Sequence, residues 1–122
     1  MIAKIQTTPE IPDEWWTRSG MDQFAKNTRA YPTTYLNEIV IISISEIRPI
    51  QRSIGTPAFH EQRMLDILLG FARQSAIPPI IVEKNTSIEG FKYELLNGVH
   101  RYYASIAAGF DMIPVVFGKF IR

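Results

Sequence analysis

Cysteine is absent from the 122 residues, so neither a disulfide nor a thiolate-ligated metal holds this chain together. Long apolar runs are missing too, since no stretch approaches the roughly 18 residues needed to cross a bilayer. No basic segment followed by an apolar one marks a secretory signal. Charge of one sign is also lacking, with 13 Lys and Arg against 12 Asp and Glu, a net +1. That balance excludes the global positive field that drives nonspecific nucleic-acid binding, so any polynucleotide contact must be local. Repeats and low-complexity tracts are absent. These gaps predict a soluble, cytoplasmic protein without membrane contact, and 46% hydrophobic content suffices for one globular core.

The most informative stretch spans residues 93–114. Phe91, Tyr93 and Leu95 alternate with Lys92 and Glu94, the period of a half-buried strand that ends at Asn97 and Gly98. A helix follows at once, with Val99, Tyr103, Ile106 and Ala107 on one apolar face and Gly109 where a left-handed cap is expected. His100 and Arg101 then fall in its first turn, where the helix dipole disfavours cations. A bound anion resolves the conflict, because free backbone N–H groups, an imidazole and a guanidinium would all face it. The alternative is that Arg101 pairs with a nearby carboxylate and His100 caps a surface turn.

Upstream, the β-branched run at 39–44 predicts a buried strand, and residues 45–49 a turn from which Arg48 and Arg52 project. Thr56 and Pro57 form a helix-start signal, and Met64, Leu65, Leu68, Phe71 and Ala72 an apolar stripe, predicting a helix to about residue 74. Residues 79–84 and 91–96 read as a hairpin, and 113–117 as a last strand with Pro114 near its start or at an edge. The fold class is therefore α+β, a small mixed sheet covered by helices, over residues 39–122. Residues 1–38 form an N-terminal extension packing on that domain, with a short helix starting near 12–14. Its adjacent Trp15 and Trp16 either pack on the domain or serve base stacking or a protein partner.

The run Asn97-Gly98-Val99-His100-Arg101-Tyr102-Tyr103-Ala104 resembles the Gly-Gly-Cys-His-Arg-Tyr-Ala-Ala run of sulfiredoxins. Tyr93-Glu94-Leu95-Leu96, followed by Gly98, resembles the Tyr-Glu-Leu-Ile-x-Gly-Glu-Arg-Arg run of ParB partition proteins, which share the sulfiredoxin fold. The resemblance extends over about residues 39–117 and implies a ParB/sulfiredoxin-like fold with a nucleotide-phosphate pocket. Its ligands would be Arg48, Arg52, Arg63, Asn97, Gly98, Val99, His100 and Arg101, and its cofactor ATP or CTP with Mg2+ bridging the phosphates.

Two departures narrow what the resemblance implies. Val99 stands where sulfiredoxins have their nucleophilic cysteine, which excludes sulfinic-acid repair, and where ParB has a glutamate tied to nucleotide hydrolysis. With Arg122 the last residue and no room for a helix-turn-helix after residue 117, specific binding of a DNA site is not expected of this chain alone. The leading expectation is a nucleotide-phosphate-binding domain, with ATPase or phosphotransfer activity left open and no catalytic base assigned. A nucleic-acid-associated module, partition-like or nuclease-like, uses the same arginines on DNA, and a non-enzymatic adaptor uses the aromatic N-terminal segment.

Overall fold

The computed structural model describes residues 6–7, 10–34, 38–48, 52–53, 59–85 and 90–118. In chain order the elements are β1 (Gln6–Thr7), α1 (Asp13–Arg18), β2 (Val40–Ser43), β3 (Arg52–Ser53), α2 (Glu61–Ala72), β4 (Ile80–Lys84), β5 (Tyr93–Asn97), α3 (Val99–Ala108) and β6 (Met112–Phe117). The main sheet has the order β2-β6-β4-β5, with β4 and β6 parallel and the outer pairs antiparallel; β1 and β3 form a separate two-stranded ribbon. This is the α+β arrangement expected from the alternating strand and helix patterns.

Alternation along the inner strands places Ile80, Val82, Ile113 and Val115 in the core. They meet Met64, Leu68 and Phe71 of α2, together with Tyr102, Tyr103 and Ala104 of α3. Residues 10–34 contribute Met21 and Tyr31 to this same core, with Trp15, Trp16 and Phe24 packed against it half-buried. The Tyr31 ring lies 5.4 Å from Phe71 and 6.4 Å from Phe110, and Phe71 lies 5.4 Å from Phe110. Each such aromatic pair adds about 0.5–1.5 kcal/mol beyond its area burial. Main-chain bonds extend the tie: Ile77 N–H donates to Pro32 O and Met112 N–H to Arg29 O.

Tertiary pairing overrides local pattern at several places. The run at 39–44 is an edge strand, not a buried one: Val40 is 41% and Ile41 48% exposed, and Ile44 already begins a 3-10 turn. Pro114 is near the start of its strand, as one of the two expectations had it, but that strand is central and not at an edge. The Ile44 N–H bond to Asp111 O marks residues 111, 113 and 115 as those facing β2, so Pro114 faces the other side. The β4 ladder starts only at Ile80 opposite Val115, one residue beyond Pro114, where a missing N–H costs nothing.

α2 starts at Glu61, capped by His60, whose ring accepts from the Arg63 N–H; it ends at Ala72. The Thr56 and Pro57 start signal lies outside the described residues. On α3 the buried side chains are Tyr102, Tyr103, Ala104 and Ser105, whereas Ile106 is 43% exposed and Ala107 is exposed. The expected face was offset because the sheet and α2 cover α3 from adjacent sides. Gly109 adopts the left-handed cap, with φ of 91°.

Candidate functional site

β5 passes into α3 through Gly98, whose φ of 110° and ψ of 33° lie in the left-handed region that favours glycine. Tyr102 N–H donates to Gly98 O at 2.8 Å, the first bond of the helix. The N–H groups of Val99, His100 and Arg101 precede that ladder, the cap residue Gly98 has no side chain to accept from them, and no acid stands in the first turn. They open on a cleft of about 700 Å³. Arg63, Asp66 and Ile67 of α2 form one wall, Ile77 and Pro78 another, and residues 96–101 the third.

The start of α2 is held beside that of α3. His60, the cap of α2, donates its backbone N–H to His100 Nε2 at 2.9 Å, while its own Nδ1 accepts from Arg63 N–H at 3.3 Å. An accepting Nε2 places the proton of neutral His100 on Nδ1. The Phe59 ring supports the imidazole edge-on, with centroids 5.4 Å apart. One histidine of α3 thus positions the start of α2, and two positive helix ends converge.

Arg101 is engaged at the cleft wall. Its Nη1 donates to Pro79 O at 2.7 Å and to Pro78 O at 3.2 Å, and Tyr31 Oη donates to the same Pro78 O at 2.7 Å. Burial pushes the Tyr31 hydroxyl well above its ordinary range, partly offset by the Arg101 charge, so it remains a donor at neutral pH. Backbone carbonyls, rather than the carboxylate considered as a partner for Arg101, therefore hold the guanidinium in place. Arg63 is exposed, without an ion pair among the described residues. Asp66 accepts from Gln62 Nε2 at 2.9 Å.

Among the residues anticipated from the sequence, Arg63, Asn97, Gly98, Val99, His100 and Arg101 line this one cleft. Arg48 does not. Its N–H donates to Tyr93 O and its Nη2 lies 3.4 Å from Glu94 Oε2, at the opposite end of β5, about 13 Å of strand away from Asn97. Arg52 belongs to the β3 ribbon rather than a loop, and its side chain lies outside the description. The sequence reading missed Asp66, His60 and Pro78. Helical spacing from Arg63 could have found Asp66; nothing local signals the other two.

Among the described residues no group of three His, Asp or Glu could hold a metal ion, and no helix is long and apolar enough to cross a membrane. Asp66 is the one carboxylate among the described residues that line the cleft, a donor set that fits a divalent ion only when it arrives on a ligand's phosphates.

Residues 29–120 match the family model of the ParB N-terminal domain. A search of curated proteins finds no match. Among solved structures, the chain is similar to the C-terminally truncated chromosome-partitioning protein ParB from Caulobacter crescentus, crystallised in complex with CTP-gamma-S. The TM-score is 0.51 at 18% identity, and the likeness covers 70% of this chain and 47% of that one. The chain thus corresponds to about half the length of that structure, and at this identity the likeness speaks to the fold.

Proposed function

Because this chain belongs to the ParB N-terminal domain family, we propose that the cleft binds the phosphates of a nucleoside triphosphate, CTP ahead of ATP, in a partition-like module. The observation that carries this reading is the N-terminus of α3 at Gly98, where the main chain lines a cleft that Arg101 of the same turn and Arg63 of α2 also line. Backbone N–H groups and guanidinium groups together form charge-assisted bonds to phosphate. Gly98 brings the main chain close, His100 donates from Nδ1, and Asn97 offers an amide at the rim. CTP takes precedence over ATP because the Caulobacter ParB of similar fold was crystallised with CTP-gamma-S. Magnesium, when carried in on the phosphates, supplies charge neutralisation, and Asp66 is the residue that would hold it. Val99 places neither a nucleophile nor a carboxylate at the turn, so the proposal is binding, without an assigned hydrolytic step.

Calorimetry with CTP, ATP and GTP, with and without magnesium, tests this reading. Saturable CTP binding at least about tenfold tighter than the other two is expected. If no nucleotide binds at millimolar concentration, the proposal fails. A DNA duplex titrated across a salt series in parallel serves as the contrast, since a polynucleotide gripped at several phosphates loses affinity steeply with salt.

A further inference from the structure

The segment leading into α1 and one face of α3 enclose a second groove, of about 440 Å³. Ile11 and Trp16 form one wall, Tyr103 and Ile106 the other, and Glu10 and Asp13 stand at the rim. Among the described residues no Lys, Arg or His lines it, although the whole chain is slightly basic. Neither rim carboxylate has an ion pair among the described residues, and both are exposed. Ile106, 43% exposed, is one of the largest apolar side chains left in water.

We propose that this groove docks a basic peptide segment that inserts one large apolar side chain between Trp16 and Ile106. The charge pattern selects this occupant. A buried apolar anchor flanked by cations meets both the apolar walls and the two rim carboxylates, whereas phosphate-bearing ligands would face only repulsion. A second copy of the chain fits less well, because a two-fold contact sets the same patch against itself and brings four carboxylates together. The groove is separate from the phosphate cleft and the inference does not rest on nucleotide binding.

The test uses the full chain and a fluorescein-labelled peptide of lysines and alanines around a single tryptophan, with a glutamate-for-lysine peptide as its counterpart. Saturable anisotropy with the basic peptide is expected, with binding at least about tenfold weaker for the acidic one. Replacing both rim acids, Glu10→Lys with Asp13→Lys, should weaken the basic peptide by at least about tenfold. Ile106→Ser should weaken both peptides, and the melting temperature, measured alongside, confirms that the variants fold. Amide shifts on peptide addition should map to residues 10–16 and 103–107. Equal binding of the two peptides, shifts confined to the cleft at residues 97–101, or dimerisation of the free chain that Ile106→Ser abolishes would each overturn the proposal.

Discussion

Gly98 lies so close to Ile80 that a Cβ at position 98 would stand 2.7 Å from Ile80 Cγ2 and 3.0 Å from Ile80 Cβ. The turn that opens α3 is thus pressed onto the start of β4, and only a residue without a side chain meets both that approach and the positive φ. At Gly109 the φ of 91° is similar, yet nothing lies within 4 Å of where a methyl group would stand. Gly98→Ala should therefore cost about 3 kcal/mol, combining backbone strain with overpacking, and Gly109→Ala about 1 kcal/mol from strain alone. Urea denaturation of the two variants measures the difference; equal losses would refute the contact with Ile80 as the cause.

Arg101 and Arg63 face the same cleft but differ in what else they do. Arg101→Ala removes the bonds to Pro78 O and Pro79 O, so it should lower stability by about 1–3 kcal/mol as well as nucleotide affinity by about tenfold to a hundredfold. Arg63→Ala should weaken nucleotide binding by about tenfold and leave stability within about 0.5 kcal/mol. Calorimetry and thermal melting on the same preparations separate the two. An unchanged melting temperature for Arg101→Ala would contradict its structural role.

Burial, followed by the neighbouring Tyr103, pushes the Tyr102 hydroxyl up to about 12 from its ordinary 10.0. The folded chain therefore keeps a proton that the unfolded chain has lost, and stability should fall as pH rises between those two values, on the order of 2 kcal/mol in total. Tyr102→Phe should make that alkaline decline shallower, leaving the share of Tyr31, whose hydroxyl burial also raises. Denaturation midpoints at pH 8 through 12 provide the check, and a decline that persists unchanged in the variant would rule Tyr102 out as its source.

At the acid end, hydrogen bonding from Arg29 holds the Asp111 carboxyl below its ordinary 3.8. A lowered folded value means that the pair stabilises the fold above that ordinary value and is lost as pH falls through the depressed one. Asp111→Asn should thus reduce stability slightly at neutral pH and not at all at the lowest pH, since the pair is exposed. Acid titrations followed by circular dichroism would show parallel curves for both proteins if the pair contributes nothing.

Local chemistry made much of residues 91–109 legible. The period-two pattern before Asn97, the helical run after Gly98 and the two glycines are short-range requirements, and a positive φ leaves few residue choices other than glycine. The grouping of Gly98, His100 and Arg101 followed from that turn alone, because neighbours on one helical turn stay neighbours in any fold.

Pairings between distant residues were not written in any one segment. β-branched residues favour a strand without saying whether it lies at the centre or the edge, so the run at 39–44 could not announce its exposure, nor Pro114 its central position. The cleft itself needed the tertiary structure. His60 meets His100 across 40 residues, and Arg101 reaches Pro78 and Pro79 across more than 20, because packing α2 on α3 brings both helix starts to one end of the sheet. Sequence determined which turns and helices form, through φ preferences and periodicity; only the packing of those helices on the sheet decided which of their charges share a site.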